Sequence, residues 1–180
     1  FTVQLEVMEP QIFAEICPGK AKYMPYEGWL ESIQNAVDVY GVGNVAVKLV
    51  PGITLFASSG HKTWQEARDY HIEANRWIAK AGAQPAILPM WWAPGSPLWQ
   101  EDHSYKDKFP PTEYLLEVSV GMYEAMLDAD LYSKVNKFMY CALDFSTTID
   151  CGDIGMIKLA GDLGNWMADA IPEKANWLAR

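Results

Sequence analysis

The chain has 180 residues, of which 50% are apolar, and its 23 acidic and 14 basic residues give a formal net charge of −9. This length and composition suit one domain with a sizeable core and exclude a disordered tail or a linker. The sequence lacks the basic footprint for nucleic acid or an anionic membrane, and it has no apolar stretch near the roughly 18 to 20 residues that span a bilayer. We therefore expect neither a nucleic-acid partner nor a membrane.

Cysteine is sparse. Cys17, Cys141 and Cys151 are far apart and form no C-x-x-C pair. A disulfide framework is therefore not expected, and this cysteine usage predicts a cytoplasmic location. The chain begins with Phe1 and enters a strand-like segment at once, without an initiator Met. We expect it to be a piece of a longer polypeptide.

The first half of the chain alternates strand-like and helical patterns. Residues 1–8 alternate apolar and polar side chains, which predicts a strand. The apolar spacing over 26–40 predicts a helix that ends at Gly41. Residues 45–50 form a β-branched run, which predicts a strand covered on both faces, and Lys48 interrupts that run.

The second half continues the alternation. Thr63 and Glu66 form a T-x-x-E capping box, which starts a helix that Gly82 ends. A strand over 84–91, a helix over 112–128 and a last strand over 137–143 follow. The predicted inward face of the helix that Thr63 starts consists of Trp64, Ala67, Tyr70 or His71, Ala74, Trp77, Ile78 and Ala81.

Four strands and three long helices in alternation predict an α/β fold with parallel strands. A complete (β/α)8 barrel of the TIM type needs about 250 residues. We therefore predict half of such a barrel in residues 1–150, with residues 151–180 as an irregular helical tail of the same domain. Ligands of these folds bind at the carboxyl ends of the strands.

Glu6 and Lys48 are the charged residues of the predicted strands that could carry chemistry. On an open sheet Glu6 would be a solvated carboxylate, whereas inside a barrel it would need a cationic or hydroxyl partner. Lys48 would lie at an edge, or it would pair with a carboxylate or an anionic ligand group. If both point inward from adjacent strands, they pair with each other or bind two ends of one ligand.

The segment 87–100 (ILPMWWAPGSPLWQ) is rich in Trp and Pro and follows a predicted strand. It is either a plug that packs against neighbouring loops or a rigid wall for a flat ligand such as a nucleobase. Because neighbouring side chains of a strand point to opposite faces, Trp91 and Trp92 cannot both face the interior. We assign Met90 and Trp92 to the interior and Trp91 to the outer helices.

Motifs for metals and phosphates are missing from the sequence. His61, His71 and His103 are not at zinc-binding spacings, and no G-x-G-x-x-G, P-loop or G-x-S-x-G is present. Cys151 has no neighbouring base in sequence that would make it a nucleophile. We predict no metal ligand on this chain.

Residues 4–20 (QLEVMEPQIFAEICPGK) and residues 87–98 (ILPMWWAPGSPL) resemble two segments of radical S-adenosylmethionine enzymes of the biotin synthase and hydrogenase-maturase type. QLEVMEPQIFAEICPGK at residues 4–20 is similar to their fourth barrel strand and the loop after it, where an E-T-x-x-E-L-(F/Y)-x-x-(I/V)-x-P-like run occurs. ILPMWWAPGSPL at residues 87–98 is similar to their sixth strand, which a P-x-x-P-x-P-(G/D)-(S/T)-P-L-like run follows. The resemblance covers residues 4–98 in the right order and extends to the remainder by topology alone.

The resemblance implies roles for individual residues. Glu6 takes the place of the acid that hydrogen-bonds S-adenosylmethionine, and the run Leu88, Pro89 and Met90 takes the place of the residues that pack on its adenine. Trp92 would contact substrate. Lys48, as a partner for an anionic ligand group, completes the candidate cofactor-binding set.

Two departures from the family pattern accompany the resemblance. The cluster-binding C-x-x-x-C-x-x-C motif is absent, and Trp29 replaces an arginine that is often found early in the helix after strand four. The resemblance therefore implies that the 4Fe-4S cluster lies on a companion half-barrel, in the same polypeptide or in a second chain. The cluster would cleave S-adenosylmethionine reductively to a 5′-deoxyadenosyl radical that attacks a small-molecule substrate.

Two other interpretations remain open from the sequence. In the first, the chain is a non-catalytic α/β interaction subunit that docks a partner through its Trp-rich face. In the second, it belongs to a different barrel enzyme that uses Glu6 and Lys48 as an acid–base pair.

Overall fold

A computed structural model describes residues 1–88 and 109–134. Over these residues the chain is an α/β structure in which strands and helices follow one another in sequence. Two short 3₁₀ turns lie at Ile53–Leu55 and Tyr132–Lys134. The regular elements are β1 (Thr2–Glu6), α1 (Pro10–Ile16), α2 (Pro18–Tyr23), α3 (Tyr26–Tyr40), β2 (Ala46–Leu49), α4 (Trp64–Lys80), β3 (Gln84–Ile87) and α5 (Thr112–Asp128).

The three strands form one parallel sheet in the order β1, β2, β3. Gln4 lies opposite Lys48, and Lys48 lies opposite Ala86, so the carboxyl ends of the strands meet at one edge. Neighbours in sequence are thus neighbours in the sheet, which is the strand order of a (β/α) barrel. The described sheet is consistent with part of such a barrel and does not close one.

Local signals explain where the long helices begin and end. Thr63 caps α4, because the N–H of Glu66 donates to Thr63 Oγ1 (3.3 Å) and the N–H of Thr63 donates to Glu66 Oε2 (3.1 Å). Helix α3 ends at Gly41, whose φ of 90° is a conformation that glycine adopts without strain. Helix α5 follows Pro111, which occupies its N-cap position.

The core lies between one face of the sheet and the helices. Leu5 of β1, Val47 of β2, Ile33 of α3 and Ile78 of α4 are fully buried in a single apolar cluster there. A second cluster joins α4, α5 and β3. On the opposite face of the sheet Ala46 and Ala86 are buried against each other, whereas Thr2 and Gln4 are exposed. The helices therefore cover one face of the sheet.

The structure confirms the helices predicted over 26–40 and 112–128 and the capping box at Thr63. The prediction for Trp77 was wrong, since its side chain is 40% exposed. The buried stripe of α4 instead passes through Ala74, Asn75, Ile78 and Ala79, and these positions leave Trp77 at its margin. The strand predicted over 137–143 and the tail over 151–180 lie outside the described residues.

Candidate functional site

The segments that follow the three strands meet at the carboxyl edge of the sheet. Helices α1 and α2 follow β1, the 3₁₀ turn and a loop follow β2, and Phe109 and Pro110 precede α5 on the way from β3. Of the predicted site residues, the structure describes Glu6, Lys48 and Leu88.

Glu6 ends β1 in an unusual backbone conformation. Its φ is 71°, in the left-handed region, and the pairing of β1 with β2 shifts register between Gln4 and Glu6. Non-glycine residues are uncommon in this region. The irregularity interrupts the alternation of side chains along β1 at the residue that the resemblance assigns to the cofactor.

The Glu6 carboxylate is paired with a lysine from α2. Lys20 Nζ lies 2.6 Å from Glu6 Oε1 and donates a second hydrogen bond, of 2.5 Å, to the carbonyl oxygen of Gln4. The side chains of Lys20 and Glu6 are 31% and 19% exposed, so water screens this pair less than an ion pair on an open surface.

Two further side chains complete what we call the strand-end cluster, which consists of Glu6, Cys17, Lys20 and Trp29. Lys20 Nζ lies 5.9 Å from the centroid of the Trp29 ring, within the range of a cation–π contact. Burial raises the pKa of the Cys17 thiol, and the charge of Glu6 raises it further, whereas Lys20 opposes the shift. Cys17 is therefore a poor nucleophile at neutral pH.

Lys48 and Glu6 form no ion pair with each other, although both lie in the part of the chain that the structure describes. Lys48 is half-buried in β2 on the face that carries Gln4 and Ala86. The prediction that Glu6 and Lys48 pair directly is thus wrong. Glu6 lies after a register shift in β1 and pairs with Lys20 instead. Lys48 stays a candidate contact for a ligand on its face of the sheet.

Leu88 follows β3 directly. Its N–H donates to the carbonyl oxygen of Leu49 (2.8 Å), which extends the pairing with β2 by one residue, and it is half-buried. It therefore lies beside the end of β2 at the edge that Glu6 also reaches. Pro89, Met90, Trp91 and Trp92 lie outside the described residues.

A cavity of about 770 Å³, which we call the rim cleft, opens beside the segments that follow the strands. Its walls combine apolar rings with polar and charged side chains, a mixture typical of small-molecule sites. Glu15 of α1 forms part of the wall and accepts hydrogen bonds from the N–H (2.6 Å) and hydroxyl (2.9 Å) of Ser58. These bonds lower the pKa of Glu15, so it is ionised at neutral pH.

Aromatic rings form another wall of the rim cleft. Phe56 and Phe109 meet edge to face with centroids 5.8 Å apart, and Arg68 lies 5.6 Å from the Trp64 ring. His61 is half-buried, and its Nδ1 has no hydrogen-bond partner within residues 1–88 and 109–134. The rim cleft thus offers flat apolar surfaces beside the ionised Glu15 carboxylate.

No group of three or more His, Cys, Asp or Glu side chains that could hold a metal ion occurs among the described residues. None of the helices in that part of the chain is both long and apolar enough to cross a membrane.

Lys20 is the site residue that sequence analysis missed. The sequence did contain a signal for it. Glu6 was predicted to need a cation inside a barrel, and Lys20 is the first basic residue that follows Glu6. The rim cleft gave no comparable signal, since its lining residues come from segments without a shared pattern.

The chain is similar to bacteriochlorophyllide c C-7(1)-hydroxylase from Chlorobaculum limnaeum. The two are 30% identical over 132 residues, which are 72% of this chain and 27% of that enzyme. The chain thus spans about a quarter of the length of this relative. No family model matches the chain, and no solved structure matches it.

Proposed function

We propose that this chain is part of a radical S-adenosylmethionine enzyme, in which it forms the C-terminal half of the barrel and part of the S-adenosylmethionine pocket. The observation that carries the proposal is Glu6, which lies at the carboxyl end of a parallel strand with its carboxylate fixed by Lys20. This is the edge where barrels bind ligands. The similarity of this chain to a hydroxylase supports an enzymatic function.

The described residues suit S-adenosylmethionine in their chemistry. Glu6 Oε1 is bonded to Lys20, and Oε2 has no hydrogen-bond partner in the part of the chain that the structure describes. Oε2 is therefore an acceptor for a hydroxyl or ammonium group of the cofactor. Leu88 supplies apolar surface for the adenine, together with Pro89 and Met90 in this proposal, and Lys48 contacts an anionic group.

The iron–sulfur cluster belongs elsewhere in this proposal. Cys17 is the free cysteine of the described residues, which contain no ligand set for a metal. The cluster would lie on a companion half-barrel, earlier in the same polypeptide or on a second chain. When bound, S-adenosylmethionine would supply the 5′-deoxyadenosyl radical that takes a hydrogen atom from the substrate.

The companion half-barrel would join the sheet at β1. This strand is one of the two edge strands of the described sheet, with β2 on one side, and an unpaired edge is a template for another strand. The dimensions of the barrel also require strands beyond the three described.

The substrate in this proposal is a small molecule with a carbon-bound hydrogen to be removed. Hydroxylation at carbon, the activity in the relative's name, breaks such a bond. The rim cleft, at about 770 Å³, is within the roughly 300 to 1,000 Å³ of ligand pockets. We assign the substrate to this cleft and to Trp92, and the protein to the cytoplasm.

The test uses the native polypeptide that contains this chain, purified without oxygen. We expect iron and sulfide in near-equal amounts, and 5′-deoxyadenosine on reduction with S-adenosylmethionine. Glu6→Gln should weaken S-adenosylmethionine binding by about 1.5 to 3 kcal/mol, the range for a hydrogen bond to a charged group. Glu31→Gln, at an exposed position of α3, is the matched control.

One result would reject the proposed enzyme class, and a second would reject the role of Glu6 in it. A protein without iron and sulfide would favour the interaction subunit or the acid–base enzyme, because neither needs a cluster. If Glu6→Gln lowers the melting temperature and leaves cofactor affinity unchanged, Glu6 is a structural carboxylate.

A further inference from the structure

The backbone of Glu6 has a φ of 71°, which is unfavourable for a residue with a Cβ. A left-handed φ brings the Cβ of an L-residue close to a neighbouring carbonyl oxygen, and such conformations persist when surrounding contacts determine them. Glu6 also follows the point where the ladder with β2 shifts register. The direction of its carboxylate therefore depends on contacts outside regular strand geometry.

The contact that meets this need comes from Lys20. Its ammonium binds the Glu6 carboxylate and the Gln4 carbonyl at once, so it spans the two residues between which the register shifts. The Trp29 ring lies beside the same ammonium and restricts its position further. A lysine with two acceptors and an aromatic neighbour is more ordered than a lysine in an ordinary surface ion pair, which contributes little.

Lys22 shows the contrast within the same short helix. It is exposed and forms no ion pair within the described ranges 1–88 and 109–134. The two lysines have the same charge and lie on the same element. A substitution at Lys22 therefore removes the same charge from the same helix as a substitution at Lys20, but it leaves the contacts of Lys20 with β1 in place.

We propose that Lys20 is a positioning residue, which orients the Glu6 carboxylate so that Oε2 accepts a hydrogen bond from the bound cofactor. This inference rests on the proposed function, because it needs S-adenosylmethionine as the ligand. Lys20 acts through Glu6 in this arrangement. Its loss should therefore weaken binding only where Glu6 is present.

The experiment measures the dissociation constant of S-adenosylmethionine for the native polypeptide and for Lys20→Met, Lys20→Arg, Glu6→Gln and the Lys20→Met/Glu6→Gln double variant. We expect Lys20→Met to weaken binding about tenfold or more, and the double variant to bind like Glu6→Gln alone. Lys20→Arg should recover most of the affinity, since it keeps the cation. Lys22→Met should leave affinity unchanged.

The outcomes separate the two proposals. If the unaltered protein does not bind S-adenosylmethionine, the proposed function fails. If the unaltered protein binds it and Lys20→Met binds equally well, the positioning role is wrong even where stability falls. If the effects of Lys20→Met and Glu6→Gln add in the double variant, Lys20 does not act through Glu6, and the inference is overturned.

Discussion

The backbone N–H of Gly52 donates a 2.7 Å hydrogen bond to the hydroxyl oxygen of Tyr114, 62 positions further along the chain. Tyr114 is fully buried, and the bond joins the segment after β2 to α5. Tyr114→Phe should lower the free energy of unfolding by about 1 to 3 kcal/mol, because it leaves a buried N–H without a partner. Urea unfolding measures the loss.

Tyr23→Phe is the control for this prediction. Tyr23 is 82% exposed, so removal of its hydroxyl should change the free energy of unfolding by less than about 0.5 kcal/mol. Equal losses in the two variants would show that the bond to Gly52 does not stabilise the fold.

His71 should make stability depend on pH. It is buried in α4, and burial lowers its pKa to about 4 from 6.5. The unfolded chain therefore binds a proton below pH 6.5 that the folded chain does not bind until about pH 4, and acid favours unfolding in this window. The loss should total about 3 kcal/mol, since one pKa unit corresponds to about 1.4 kcal/mol.

The measurement is the free energy of unfolding from pH 7 to pH 4, compared with His71→Leu. The variant should lose the His-dependent part of the slope, whereas carboxylates continue to titrate in both proteins. Identical slopes would mean that His71 is protonated as easily in the folded chain as in the unfolded one.

Gly121 of α5 packs against the Ile72 side chain of α4. A Cβ added at Gly121 would lie 2.6 Å from Ile72 Cγ1 and 2.9 Å from Cδ1. Gly121→Ala should therefore destabilise the fold by about 1 to 3 kcal/mol through overpacking, less the roughly 1 kcal/mol that alanine gains as a helix former. Thermal melts of the variant measure the result.

Two further variants test the cause. Ile72→Ala should absorb part of the Gly121→Ala penalty, so the double variant is more stable than the sum of the single effects predicts. Gly19→Ala in α2 meets no atom within 4 Å and should be neutral or stabilising. Additive effects at 121 and 72 would place the clash elsewhere.

The capping box of α4 gives a fourth prediction. Thr63→Ala removes the oxygen that accepts from the Glu66 N–H, and it should cost about 1 kcal/mol of stability. Thr63→Ser keeps that oxygen and should retain most of the stability. Chemical denaturation distinguishes them, and an equal loss in both would assign the effect to the Thr63 methyl group.

The long helices could be predicted from the sequence because their periodicity agrees with their end signals. Helix α4 has both a capping box and an apolar stripe, so its start is determined locally. The expectation for Trp77 failed because a period of 3.6 leaves positions at the stripe margin ambiguous. Packing then decides, and it buried Asn75 and Ala79, which had not been assigned to the inward face.

Helices α1 and α2 were missed, because each has fewer than two turns and neither shows a full apolar period. Their signals were Pro10 and Pro18 at the first helical position and Glu9, whose side chain accepts from the Ile12 N–H (2.8 Å). The pairing of Glu6 with Lys20 depends on where α2 lies in space. No periodicity in the sequence encodes that distance.

Glu15 has a mechanical consequence for the edge of the sheet. Its two oxygens accept hydrogen bonds from Ser58 and Ser59, at distances from 2.6 to 3.4 Å, and so bind the segment after β1 to the segment after β2. A molecule that displaces one segment must displace the other or break these bonds. The two segments are therefore linked through one side chain, and the strength of this link depends on the ionised state of the Glu15 carboxylate.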